Sequence, residues 1–245
     1  MKAFICLLLL CINLYSADSI RKRKSTTSYT ASIIVPCHHS HAKHLKRLCE
    51  SYSEQTCLPE EIVISLSGYK KTNQEYIDQV QNTQWPFPVR FVFSEDEKTE
   101  GQNRNLAAKS ASGDILIGQD ADDLPHCQRV EIIKYFFNSH DIVHLIHCMV
   151  GVDDHFPFYE NFAEIQSHHR SHFGEVFQLN LPLAGGPVAI KRSIFPRVKW
   201  EEQYGIGIDT RFNTAVYAKY KKTLIISAKI YKYFWAIDSV YLNRD

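Results

Sequence analysis

The chain reads as an α/β domain, a mostly parallel central sheet flanked by helices. Three observations predict it. Short β-branched runs alternate four times with segments of helical period, the order that builds a parallel sheet with helices on its faces. The runs are brief and bounded by Pro or Gly, as buried strands are. The composition of the 245 residues, 44% hydrophobic and 22% charged, suits one moderate domain with a proper core.

"ASIIVP" (31–36) is a β-branched run ended by proline and reads as the first strand. "HAKHLKRLCESYSEQT" places Leu45, Leu48 and Tyr52 on one helical face. After Pro59, "EIVISLSG" (61–68) reads as a second strand running into a glycine turn, and "TNQEYIDQVQNT" as a helix. "VRFVFS" (89–94) is a third strand, followed by "GQNRNLAAKSAS", a helix of small residues ending near Gly113. "DILIGQD" is the fourth strand, and "PHCQRVEIIKYFFNS" predicts a helix with proline in its first turn. "DIVHLIHCMVG" is a further strand, "GIGIDTRFNTAVYAKY" a loop entering a helix, and "KTLIISAKIYKYFW" (222–235) one or two closing strands. Ligands of such sheets bind outside the carboxyl ends of the strands. Asp120, Asp122 and Asp123 follow one of those ends.

The leader is read apart from the domain. Residues 1–17 join Lys2 to a short apolar run, too brief for a span of ~20 residues. A signal peptide fits it, with export through the secretory pathway; so does a short membrane anchor, with membrane association. Residues 18–28 form a basic, flexible leader, and 29–245 the domain. The first 27 residues hold five basic groups and one acid, so of the 28 basic and 27 acidic residues the remainder keeps 23 and 26, a net charge of −3. A mildly acidic body lacks the basic face that nucleic acid requires. Five cysteines lie beyond the leader with no CxxC pair, and read as thiols rather than a disulfide framework or zinc ribbon. The His38-His39-x-His41-x-x-His44 and His168-His169-x-x-His172 groups have no neighbouring carboxylate or cysteine to complete a zinc set.

Three carboxylates within four residues repel one another unless something positive joins them. A helix cap accounts for one of them, or two. A divalent cation accounts for more: Mg²⁺ and Mn²⁺ take oxygen ligands and usually share one or two carboxylates with phosphate oxygens. At a strand end the D-x-D spacing turns Asp120 and Asp122 toward the same opening, because alternate strand side chains share a face.

"SIIVPCHH", "EGQNRNLAAKSASGDILIGQDADDLPHCQRV" and "GIGIDTRFNTAVYAK", in that order, resemble a family-two glycosyltransferase over roughly residues 30 to 240. The resemblance implies a single GT-A, Rossmann-like domain. It implies transfer of a sugar from a nucleoside-diphosphate donor, foremost a UDP-sugar, to a hydroxyl of a glycan, lipid or protein-linked acceptor. By the same resemblance Pro36 and its neighbours line the base pocket, Arg104 faces the base or ribose, and Asp120 contacts the ribose. Asp122 ligates Mn²⁺ or Mg²⁺, and Asp209 is the general base of an inverting reaction. Ser65 stands where the family often has an aspartate that bonds the base, and Ile208 where it usually has glutamate. Gly185 and Gly186 offer a close backbone approach for an acceptor, and Trp235 a stacking surface for a sugar. The different-class alternative is a binding module that keeps the fold and holds nucleotide or glycan without turnover.

Overall fold

The computed structural model describes residues 28–170, 187–203 and 207–234. The leader, and the signal and anchor readings attached to it, lie outside the described residues. No helix among the described residues is long and apolar enough to cross a membrane.

Strands β1 (Ala31–His38), β2 (Glu61–Ser67), β3 (Val89–Ser94) and β4 (Ile115–Gly118) form a continuous parallel half-sheet in the order β3-β2-β1-β4. They alternate with helices α1 (Leu45–Ser53), α2 (Gln74–Gln81) and α3 (Glu100–Ser110). The chain continues through β5 (Leu124–Pro125), α4 (Arg129–Ser139), β6 (His144–Val150), β7 (Ser167–Arg170), β8 (Ala189–Lys191), α5 (Ile208–Tyr220) and β9 (Thr223–Lys232). Beyond β4 the sheet runs β8-β6-β9-β5, with β7 also on β9. Here the β4–β8, β6–β8, β5–β9 and β7–β9 pairings are antiparallel, while β6–β9 is parallel.

Both faces of the sheet are buried, and side-chain alternation sorts them. Ile33, Val35, Ile62, Ile64 and Ile117 pack with Leu45, Leu48, Ile77, Val80, Val130 and Phe137 of α1, α2 and α4. Ile34, Val63, Leu116 and Ile225 pack with Ala107, Ala108, Phe212 and Val216 of α3 and α5. Each fully buried aliphatic side chain contributes about 1.5–3 kcal/mol. Pro36 is tolerated within this central strand because the β4 ladder stops at Ile34↔Gly118, so no partner there needs its absent N–H.

The order β3-β2-β1-β4 places a topological switch between β1 and β4. Helices α1 and α2 cover one face, and α3 crosses to the other. A crevice at such a switch point, outside the strand carboxyl ends, is where α/β sheets hold ligands. His38 ends β1 on one side of it, and Gln119-Asp120 follow β4 on the other.

The helix expected from Pro125 begins instead at Arg129. Leu124 and Pro125 pair with Lys232 and Tyr231 of β9, and His126 donates its N–H to the Ile230 carbonyl at 3.1 Å. Proline fits a sheet edge, where no donor is required.

Candidate active site at the switch point

The acidic segment is a turn rather than a continued strand. Strand β4 stops at Gly118, and the Asp123 N–H reaches back to the Asp120 carbonyl at 3.4 Å. Strand alternation therefore does not set the directions of Asp120 and Asp122, and the three carboxylates take separate partners. None caps a helix: Gln128 stands at the N-cap of α4, with no side-chain cap bond.

Asp120 is held from two sides. Arg104 Nη2 donates to its Oδ1 at 2.8 Å, and the Tyr231 hydroxyl lies 3.1 Å from its Oδ2. Asp123 closes the turn onto the end of β9. Tyr231 donates to its Oδ2 at 2.5 Å and the Phe234 N–H to its Oδ1 at 2.6 Å. Burial, with Asp120 close by, pushes the Asp123 carboxyl up to about 8. Asp122 is treated differently. Its backbone carbonyl accepts from Arg47 Nη2 at 2.5 Å, while its carboxylate faces His41 Nδ1 at 3.8 Å. Burial, then Asp120, raise its carboxyl above the ordinary range. A desolvated carboxylate beside another acid, whose ion-pair neighbour among the described residues is a ring nitrogen, is chemically suited to a hard divalent cation. The oxygen donor of Asp122 is of the kind that Mn²⁺ or Mg²⁺ takes.

Arg104 organises the other acids. It is 1% exposed, and its guanidinium serves three carboxylates: Glu100 at 2.5 Å, Asp120 at 2.8 Å and Asp209 at 2.6 Å. The fork geometry of arginine permits this, where a lysine ammonium would not. The side chain expected to face a base or ribose is thus directed to the acid cluster. Its neighbour Asn105 turns the other way. It accepts from the Trp200 N–H at 3.0 Å and donates to the Trp200 carbonyl at 2.9 Å and to Glu202 Oε1 at 3.0 Å. One half of the Arg-Asn pair binds the acids, and the other clasps the segment preceding α5.

Asp209 sits in the first turn of α5, whose N-cap is Gly207 in the left-handed region at φ 82°. Its carboxylate is therefore free of capping and lies on Arg104. Burial, with Glu100 and Asp120 nearby, raises its carboxyl to about 7 against the opposing pull of Arg104. A base of that strength is matched to neutral pH. Ile208 turns into the apolar cluster of α3 and α5 at 3% exposure, which accounts for an apolar residue where a glutamate was expected.

Ser65 is fully buried, and its hydroxyl donates to Asn103 Oδ1 at 3.0 Å. Asn103 in turn donates to Ser67 Oγ at 2.9 Å, so this polar chain ties β2 to α3 rather than facing the crevice. Pro36 is buried two residues short of the strand end, and His38 and His39 reach the rim in its place. His168 and His169 pair with Ile225 and Leu224, about 20 Å along β9 from Tyr231 at ~3.3 Å per residue, away from the acids. Gly185, Gly186, His172 and Trp235 lie outside the described residues.

Sequence reasoning missed four contributors. Glu100 had a signal, its i, i+4 spacing to Arg104. Tyr231 lies within the run 222–235 that reads as closing strand, which gives no sign of its partners. His41 stood out only as one of a group of histidines, with nothing to join it to Asp122, and the fully buried Arg129, which binds Gln119 Oε1 at 2.5 Å and the Gly118 carbonyl at 2.8 Å beneath the turn, had no local signal.

The sequence profile of Glycosyl transferase family 2 matches residues 32–198. An uncharacterized glycosyltransferase of Nostoc sp., alr2836, is 26% identical over 120 residues, covering 49% of this chain and 37% of that protein. The crystal structure of S. aureus TarS 1-349 superposes with a TM-score of 0.65 at 18% identity, over 83% of this chain and 60% of that one. Its complex with UDP-GlcNAc gives 0.66 over 83% and 58%. The chain thus spans about a third to three-fifths of the length of these relatives.

Proposed function

This chain belongs to glycosyl transferase family 2, and from that premise we propose that it moves a sugar from a UDP-sugar donor to a hydroxyl acceptor with inversion at the anomeric carbon. The observation that carries the reading is the pairing of one acid prepared for a cation with another prepared as a base. Asp122 is desolvated beside a second carboxylate, and Asp209 is raised to about 7 on the same buried arginine that holds Asp120. The UDP and UDP-GlcNAc complexes of TarS support a uridine-diphosphate donor.

Asp122 would hold Mn²⁺ or Mg²⁺. That cation supplies Lewis-acid stabilisation of the leaving diphosphate. The remaining steps belong to the chain. Asp209 accepts the proton of the attacking hydroxyl through its carboxylate, with Arg104 fixing that carboxylate in place. Asp120, tethered by Arg104 and Tyr231, presents its oxygens toward the ribose side of the crevice. Glu100 completes a cluster of three acids on one cation, and burial, reinforced by this excess negative charge, lets Asp209 take up a proton near neutrality. The acceptor is a glycan, lipid-linked or protein-linked hydroxyl.

The test is donor turnover by the full-length chain with Mn²⁺ across a panel of UDP-sugars, with and without acceptor glycans. UDP release that depends on both metal and Asp209 supports the reading. Donor binding without turnover in any acceptor would favour the binding module, to which the buried Ser65 and Ile208 lend support.

A further inference from the structure

Three metal-ligating side chains meet on the β1 side of the crevice, and the transfer reaction assigns no step to them. His38 and His39 follow one another at the end of β1, and Glu97 comes from the loop between β3 and α3. Their ligand atoms all lie within 4.8 Å of one another. His39 Nε2 is 3.3 Å from Glu97 Oε1, and His38 Nε2 is 3.7 Å from Glu97 Oε2. Ligand atoms around a tetrahedral zinc at ~2.0–2.1 Å stand roughly 3.3–3.5 Å apart. His39 meets one carboxylate oxygen and His38 the other, so both imidazoles flank Glu97 near that spacing, and a modest rotation of the carboxylate and of the two rings, whose centroids are 4.1 Å apart, would bring one oxygen and both Nε2 atoms onto a single ion.

We propose that His38, His39 and Glu97 form a binding site for a zinc-class divalent transition metal, separate from the oxygen-donor site at Asp122. Two imidazoles and one carboxylate suit Zn²⁺ or Co²⁺, whereas Mg²⁺ and Mn²⁺ prefer oxygen. Three independent features support the arrangement. First, Gly68, at φ 64°, lies under it: a Cβ there would stand 2.9 Å from His39 Cδ2 and 3.2 Å from Glu97 Cγ. Its N–H also donates to the Asp96 carbonyl at 3.2 Å, drawing the Glu97 loop onto the end of β2. Second, Ser40 Oγ lies 2.9 Å from His38 Nδ1. The Ser40 backbone N–H also donates to Nδ1 at 3.4 Å, so both contacts fix the ring through Nδ1 and leave Nε2 as the nitrogen that faces Glu97. Third, a cation already stands there in side-chain form. Lys71 Nζ lies 2.6 Å from Glu97 Oε1 on a side chain 63% exposed, so a metal ion can displace it into water at little structural cost.

The sequence grouping of histidines lacked a carboxylate because the carboxylate arrives from beyond β3. Bound metal would pin the loop before α3 to the ends of β1 and β2, and so brace the helix that carries Arg104.

The experiment titrates Co²⁺ and Zn²⁺ into the full-length Asp122→Asn protein, so that the oxygen-donor site does not contribute. The expected result is stoichiometric Co²⁺ binding with the visible d–d absorption of a tetrahedral N/O site, displaced by Zn²⁺. His39→Ala should weaken it by roughly tenfold or more, and Lys71→Met should tighten it by removing the competing ammonium. Glu97→Gln, a surface change that keeps shape, repeats the test should His39→Ala fail to fold. Absence of the absorption band overturns the site, as does an affinity unchanged in Glu97→Gln.

Discussion

The Arg104 guanidinium donates to the Asp209 carboxylate at 2.6 Å, joining α3 to the first turn of α5 across a buried interior. A residue of the central strand–helix–strand block thereby positions the candidate base supplied more than a hundred residues later. Buried ion pairs contribute little net stability but fix geometry when every partner is present. Here one cation serves Glu100, Asp120 and Asp209. Arg104→Met would leave these acids without their cation and should cost about 3–5 kcal/mol, read from chemical denaturation. Arg104→Lys keeps the charge but not the fork, and is expected to lose less stability while still lowering turnover.

Asp209→Asn should retain donor and metal binding and lower transfer to an acceptor by ~10²–10⁴-fold. The wild-type rate should carry a matching pH signature. Asp209 acts only when ionised and its carboxyl is raised to about 7, so kcat/KM rises with pH through that region rather than near the ordinary carboxylate value of ~3.9. Stability moves oppositely: the folded state holds the proton more tightly than the unfolded chain, so the contribution of this group falls as pH climbs from the unfolded value toward about 7. An acid limb near 4 in the rate profile would remove Asp209 from the role of base.

Much of this site could be read from the sequence, and the missing part has a physical cause. The alternation of strands and helices, the break after Gly118 and the acids beyond it are local patterns, and the parallel half-sheet follows from them. What Arg104 touches is not local. Its three partners sit on its own helix, after β4 and on α5, and packing alone brings the last two together. Tyr231 shows the same limit. It falls in the run 222–235 that reads as closing strand, yet which acids its hydroxyl would meet depended on β5 pairing with β9. Proline at position 125 suggested a helix start because its fixed φ suits one; the edge of a sheet suits it equally, and the Asp123 clamp on β9 decided between them.

Asp122→Asn should abolish metal-dependent donor binding without destabilising the fold. Burial and the neighbouring Asp120 already disfavour its charge, so neutralising it relieves repulsion, the trade-off expected of a site acid. Thermal unfolding without metal should show a melting temperature equal to or above that of wild type. Calorimetry of UDP with Mn²⁺ should show the loss of binding. A clear drop in melting temperature would mean that Asp122 is a structural acid.

Two glycines separate stability from positioning. A Cβ on Gly101 would stand 1.8 Å from the Glu201 carbonyl oxygen, and one on Gly113 would stand 2.6 Å from Ser32 Oγ and 2.7 Å from the Ser32 nitrogen. Both alanine variants overpack backbone and should cost about 1–3 kcal/mol. Their consequences for catalysis should diverge. Gly101 abuts the segment that Asn105 and Thr99 hold through Trp200 and Glu202, directly ahead of the helix bearing Asp209. Displacing it shifts the base, and a misplacement of ~1 Å can cost ~10²-fold in rate. Gly113 lies at the opposite end of β4, beside the start of β1. Gly101→Ala should therefore lower kcat while leaving donor affinity intact, and Gly113→Ala should lower the melting temperature with kcat preserved. Equal losses of kcat in the two variants would mean that the Gly101 contact supports the fold alone.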